Sequence, residues 1–317
     1  MKRYFIFLAA VALFTAVIWG LIFVKTQGVL LEVIFFDVGQ GDSILIKTPY
    51  EQTMLVDGGP DNRVLNKLGD HLPPLQKRID IVILTHPHAD HVTGLVEVLK
   101  RYDVGVVIMS AAYLKTDIYG EFLKTLRDKN TSIIFAKAGQ ALHFGPKMDV
   151  DILWPERNKL DLFGGYNESF GMAGNDVNDD SVVTKMSFGD FALLMTGDAT
   201  SAVEKQLLAY GNGLRADILK VGHHGSKYSS SLEVLKLVQP QASIIEVGAR
   251  NRYGHPAPAT LDRLKNFSPQ GADQLLKSET FGVERPQAEN ISIFRTDKDS
   301  DIKVLSNGYT TSIFKEK

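Results

Sequence analysis

Thr85-His86-Pro87-His88-Ala89-Asp90-His91 places three histidines and a carboxylate within six residues. Metal-ligating side chains at that density cannot all pack in an apolar core, because a buried imidazole or carboxylate without a partner is strongly disfavoured. Ile79 to Leu84, just before it, reads as a buried strand, and Val92 to Tyr102, just after it, as a helix. The cluster therefore falls on a strand-to-helix turn, where loop backbone can wrap an ion and helix N–H groups face anions. Histidines serving only to cap the helix would not number three.

The rest of the chain narrows the chemistry. It has 317 residues, a formal net charge of −2 and no cysteine. That length suits one large or two small domains with a full core. Disulfides and thiolate sites are excluded, so a metal must be held by nitrogen and oxygen donors, and zinc, manganese and iron all fit. The overall charge gives no argument for nucleic-acid binding. Of the eight histidines, six lie in three short strings: the first cluster, His223-His224 and His255. His71 and His143 read as surface or helix-end residues.

Three further strings end apolar strands. Leu55-Val56-Asp57-Gly58-Gly59 is by itself an ordinary turn. In Phe191 to Ala199 an apolar run ends in Gly197-Asp198, where the aspartate either caps the next helix or ligates. Leu219 to Ser226 carries His223-His224 at a turn, and adjacency does not say which is the ligand. Arg250-Asn251-Arg252-Tyr253-Gly254-His255-Pro256 suits anion binding by charge-assisted hydrogen bonds or is an ordinary basic loop. Residues 200–270 hold nine Lys or Arg against five Asp or Glu. Lys220, Lys227, Arg250 and Arg252 lie in or beside these strings, which places them at the rim of a site as substrate-binding cations.

Strands are expected at 30–38, 43–48, 53–56, 79–85, 104–109, 132–136, 148–153, 181–187, 191–196, 217–221 and 242–247, with 290–295 and 302–305 closing the chain as a hairpin. Helices are expected at 92–102, near 120–129, and at 199–210, 231–238 and 258–267. Residues 155–180 read as a long loop over the site, and 268–289 as a second loop. Tyr4 to Val24 is an uncharged stretch of 21 residues after Lys2 and Arg3, long enough to span a bilayer. It reads as an uncleaved single-pass anchor with the body outside the cytoplasm; the alternative is a cleaved signal and secretion. The expected division is 1–27 as anchor or signal and 28–317 as one hydrolase domain.

His-x-His-x-Asp-His at a strand-to-helix turn resembles the signature of the metallo-β-lactamase superfamily. Phe36-Asp37-Val38-Gly39-Gln40-Gly41-Asp42-Ser43, Leu219 to Ser226, Asn251 to Pro256 and Phe294 to Asp299 together resemble the metallo-β-lactamase-like domain of the ComEC family of competence proteins, over roughly residues 29–308. The resemblance implies an α/β fold, a four-layered αββα sandwich, with a dinuclear centre that hydrolyses phosphodiesters, single-stranded DNA first among them. Phosphorylcholine esterases share the His-His-Gly string. One expected anchor stands where the family has a multi-span channel, so transport of DNA by this chain alone is not expected. The superfamily's third-motif histidine is also missing: Asn178-Asp179-Asp180-Ser181 stands there, and Asp180, Asp179 or a water would take its place.

On that resemblance His86 and His88 would hold one of two divalent ions, Zn2+ or Mn2+. Asp90, His91 and one of His223 and His224 would hold the other, with Asp198 as the bridge and Asp57 orienting the loop. Asp90 would also orient the attacking water, and His255, His224 or solvent would protonate the leaving alkoxide. Three functions compete: a nuclease acting in DNA uptake, a hydrolase of another ester, amide or phosphorylcholine-like substrate, and a metal- or DNA-binding protein without turnover. Because every string lies after residue 29, residues 28–317 expressed alone should give a soluble protein with one cooperative thermal transition. Aggregation without a transition would show that the N-terminal segment packs on the body.

Overall fold

The computed structural model describes residues 30–156, 177–269 and 290–316, with scattered positions between 4 and 19. The expected anchor lies largely outside the described residues, as do 157–176 and 270–289, the greater part of the two expected loops. Among the described residues no helix is long and apolar enough to cross a membrane.

β1 (Leu31–Phe35) shows why the strands are so continuously apolar. Leu31, Val33 and Phe35 face a core between two sheets, while Ile34 faces a second core under helices. A strand covered on both sides carries apolar residues on both. The first sheet runs in spatial order β15 (Thr311–Glu316), β14 (Asp301–Ser306), β1, β2 (Ile44–Lys47), β3 (Thr53–Val56), β4 (Arg78–Leu84), β5 (Asp103–Met109) and β6 (Ser132–Phe135). The second runs β13 (Ser292–Arg295), β12 (Ala242–Ile245), β11 (Ile218–Lys220), β10 (Phe191–Met195), β9 (Val183–Phe188), β8 (Met148–Trp154) and β7 (Ala141–Phe144).

Three helices, α1 (Arg63–His71), α2 (Ala89–Arg101) and α3 (Asp117–Asp128), cover the outer face of the first sheet, where Leu68, Leu95 and Phe122 join Ile34, Leu55 and Val82. On the outer face of the second lie α4 (Ser201–Leu207), α5 (Leu232–Val238) and α6 (Pro258–Lys265), with Val203, Leu235 and Leu264 packed on Leu194, Leu219 and Ile245. The result is the expected αββα sandwich.

Each sheet contains a parallel run, β3 to β6 in the first and β10 to β13 in the second. The strings singled out in the sequence follow β3, β4, β10, β11 and β12, at carboxyl ends. Open α/β sheets bind ligands in the crevice at those ends. The approach of α2 to the end of β3 is especially close. Gly58 N donates to His91 O at 2.7 Å, and a Cβ on Gly94 would lie 2.0 Å from Gly58 O.

One expectation about the C-terminus is corrected. β13 and β14 do not form a hairpin: β13 pairs parallel with β12, and β14 pairs antiparallel with β1 and β15. The short link between them, α7 (Thr296–Asp299), crosses from one sheet to the other, tied down by Thr296 Oγ1 to the Val247 backbone at 2.9 and 3.1 Å. The helix expected over 199–210 stops at Leu207 and continues as a 3-10 turn.

Gly94→Ala should lower the melting temperature by about 5 °C or more, because backbone rather than a side-chain tip meets the new methyl. Gly120→Ala is the control. It is exposed in α3 with nothing within 4 Å of a Cβ, so alanine there should stabilise by up to about 1 kcal/mol. Equal melting of the two variants would show that α2 does not dock on β3 this closely.

Candidate metal centre

Asp57 leaves β3 in a left-handed conformation, φ 56°, which turns its carboxylate towards the neighbouring end of β4. There Oδ1 accepts from Thr85 N at 2.8 Å, and Oδ2 accepts from Thr85 Oγ1 at 2.7 Å and from His91 Nδ1 at 2.8 Å. Since the Thr85 hydroxyl is spent on Asp57, it accepts from His86 Nδ1 at 3.1 Å. Both rings thereby have Nδ1 committed and turn Nε2 towards the centre. His86 Nε2 stands 3.0 Å from His88 Nδ1. The Asp57 carboxyl itself is pushed up by burial, partly offset by His91.

The second sheet supplies the other side. Gly197 turns at φ 51° and delivers Asp198 at the end of β10. After β11, His223 and His224 both take left-handed backbone, φ 47° and 52°, a conformation that costs about 1–3 kcal/mol per non-glycine residue and is held at sites that need it. That twist separates the pair. His224 is buried and donates Nδ1–H to Glu246 O at 2.9 Å. His223 stays partly exposed and lies edge-on to His255, ring centroids 5.7 Å apart.

Asp198 Oδ2 is the point on which these parts converge. It lies 3.9 Å from His86 Nε2, 3.4 Å from His91 Nε2, 3.8 Å from His223 Nε2 and 3.5 Å from His224 Nε2. Asp90 reaches His224 Nε2 at 3.3 Å and His91 Nε2 at 3.9 Å. His91 Nε2, His224 Nε2 and Asp198 Oδ1 are all buried with no hydrogen-bond partner. Orphaned donors of this kind, aimed at one another, fit divalent cations. Among the described residues, His86 with His91 and Asp198, and Asp90 with His91 and His224, are close enough to share an ion, and Asp42 joins two further groups, with Asp57 and His91 and with Asp198 and His224. His224 rather than His223 thus joins the second group.

Electrostatics point the same way. Burial alone would raise the Asp198 carboxyl, but His224 and His91 hold it well below the usual carboxylate range. Burial would likewise depress His91, and Asp198, Asp57 and Asp90 lift it well above the usual imidazole value. His224 is pushed up to about 10, with burial outweighed by Asp198 and Asp42. His86 goes the other way, pushed well down by burial and by His91. The carboxylates here demand positive charge, which divalent ions can supply in place of protons.

One expectation fails on burial. Lys220 is fully enclosed and does not reach the rim: its ammonium pairs with Asp42 and donates to Gly197 O at 3.2 Å. Asp42 Oδ1 in turn lies 3.2 Å from His224 Nδ1. The pair joins the β1–β2 loop of one sheet to β11 of the other. Beside it Glu246, pushed well above the usual range by burial and Asp42, accepts from Ser43 N at 2.8 Å. Asp180 also does not arrive. It belongs to none of the ion-sized groups among the described residues and does not line the cleft; His88 is in none of those groups either but does line the cleft, as does Asn178. Asp179 is taken up by Thr200 Oγ1, and its carbonyl by Trp154 Nε1 at 2.6 Å.

The cleft over the centre encloses about 280 Å³. His88, Asp90, Asp198, His223, His224 and His255 line it, with Gln40, Asn178 and Tyr253. Lys227, Arg250 and Arg252 do not line it; they are exposed outside. Asp42 and Glu246 received no role from the sequence. The signal for each was a carboxylate inside an otherwise small or apolar string, Gly41-Asp42-Ser43 and Ile244-Ile245-Glu246-Val247.

The sequence profile of the Metallo-beta-lactamase superfamily matches residues 36–248, the stretch that carries every donor described above. The chain belongs to this superfamily. Its members are mostly metal-dependent hydrolases, and the metallo-beta-lactamase fold binds divalent metals, typically zinc or iron. ComE operon protein 3 of Bacillus subtilis is 28% identical over 254 residues, covering 75% of this chain and 31% of that protein. Competence protein ComA of Neisseria gonorrhoeae is 27% identical over 235 residues, covering 73% and 29%. Recombination protein 2 of Haemophilus influenzae is 30% identical over 236 residues, covering 73% and 26%. All three are competence proteins of the ComEC family. The chain spans less than a third of the length of each.

Titration of metal-stripped protein with Zn2+ or Mn2+ should give two unequal events, the tighter at Asp90, His91, His224 and Asp198. His224→Ala should abolish the tighter event, and His223→Ala should keep both. A single event of stoichiometry one, or equal losses in the two variants, would contradict this assignment.

Proposed function

We propose that this chain is a membrane-anchored dinuclear phosphodiesterase that cleaves single-stranded DNA outside the cytoplasm during DNA uptake. The observation that carries the reading is Asp198 Oδ2 at the meeting point of four imidazoles on the floor of an open cleft. Divalent ions held there would supply an activated water and a Lewis-acid hold on a phosphate oxygen. His86, His88 and Asp198 would hold one, and Asp90, His91, His224 and Asp198 the other. The competence relatives support the DNA-uptake setting, and the uncharged stretch 4–24 supports the anchor.

The remaining residues divide the work. Asp90, in the first turn of α2, faces both the cleft and His224 and can orient the attacking water. His224 has Nδ1 committed to Glu246 O and Nε2 turned to the carboxylates, so it is poorly placed to hand a proton to the leaving alkoxide. His255 has Nδ1 buried and without a partner at the cleft wall, which leaves it or solvent for that step. Lys227, Arg250 and Arg252 lie outside the cleft, where phosphates further along an extended strand would pass.

Each phosphate neutralised on a single strand contributes a slope of about −0.7 in log affinity against log salt, so three rim cations give about −2. Arg250→Ala with Arg252→Ala should flatten that slope to about −0.7 and weaken binding of labelled single-stranded DNA, while metal content and hydrolysis of bis-p-nitrophenyl phosphate persist. His86→Ala should lose hydrolysis. Salt-independent binding, or no effect of the arginine pair, would point to a small ester substrate instead.

A further inference from the structure

We infer that Tyr253 is a stacking platform for a nucleobase at the mouth of the cleft, next to the nucleotide whose phosphate is cleaved; this rests on the nucleic-acid reading above. A file of rings leads outward from the centre. His223 lies 3.8 Å from Asp198 Oδ2, its ring centroid is 5.7 Å from that of His255, and the Tyr253 ring is 5.9 Å beyond, inclined only 19° to His255. The Arg252 guanidinium ends the file, 5.2 Å from the Tyr253 centroid. An aromatic ring with a cation beside it is how sequence-tolerant sites hold single strands, because every base offers a π-face.

Exposed tyrosines are ordinary, so position and rigidity decide. Tyr253 is 55% exposed and still forms part of the cleft wall. Its loop is pinned from inside by Asn251. Asn251 Oδ1 accepts from Tyr253 N at 3.2 Å and from His255 N at 2.9 Å, and Nδ2 donates to Gly248 O at 2.9 Å and His255 O at 2.7 Å. A ring on so fixed a turn loses little freedom when a base lands on it. Tyr253 buries little, so the core does not account for it. Tyr309, 56% exposed on the turn between β14 and β15, is outside the cleft wall and serves as a matched control.

The test uses the full chain with its metal and two phosphorothioate-linked probes that resist cleavage, and reads fluorescence anisotropy. One is a labelled oligothymidylate; the other is an abasic chain of equal length, with the same linkages and no bases. Tyr253→Ala should weaken the oligothymidylate about tenfold and leave the abasic chain as for wild type. Tyr253→Phe should restore binding, and Tyr309→Ala should match wild type. Equal weakening on both probes, or on neither, would overturn the platform while the DNA reading stands. Wild type binding neither probe would overturn the DNA reading and the platform together. Tyr253→Ala losing phosphorylcholine binding while keeping the oligothymidylate would assign the ring to a quaternary ammonium instead.

Discussion

Asp42, Asp57, Asp198, Lys220, Glu246, His86, His91 and His224 are all buried where the two sheets meet, and out of water each such group must be paired with an opposite charge, hydrogen-bonded or held neutral. That constraint shapes this end of the molecule. Asp57 holds Thr85 and His91, which fixes how the first histidine loop leaves β4. Asp42 holds Lys220, which ties the loop after β1 to β11. The left-handed turns at Asp57, His223 and His224 are conformations the chain would not choose locally, and they persist because each delivers a side chain to a partner.

On the proposed function, the layout would separate reaction from grip. The proposed donors sit just after β4, β10 and β11, rigid elements covered on both faces. The exposed cations and Tyr253 sit on surface turns, with Asn251 making one of those turns stiff. On the proposed reading, a phosphate would be held by fixed geometry while the strand on either side is held by charge and ring surface.

Much of this was legible locally. A carboxylate or histidine string at the end of an apolar run marks a strand end, so Asp57, His86, His91 and Asp198 were found where the fold puts them. The failures share one cause, dependence on partners distant in sequence. Lys220 reads as a rim cation until Asp42, 178 positions away, is brought beside it. His223 and His224 are equivalent on paper, and only the backbone turn with Glu246 O tells them apart. The last strands read as a hairpin because the apolar runs are close in sequence, whereas the partners of each are β12 and β1. α1, with only Val64 and Leu68 buried, and the edge strands β7 and β15 offer too little periodic apolar pattern to stand out.

The donors proposed for the ions come from both halves of the sandwich, His86, His88, Asp90 and His91 from one sheet and Asp198 and His224 from the other. An ion seated among them is therefore a rivet as well as a reagent, because whatever binds only the closed form adds to its stability. Scarcity of metal would then do more than silence the chain. It would loosen the seam between the sheets and expose the protein to proteases, so that its lifetime, and not only its turnover, would follow the mineral content of its surroundings.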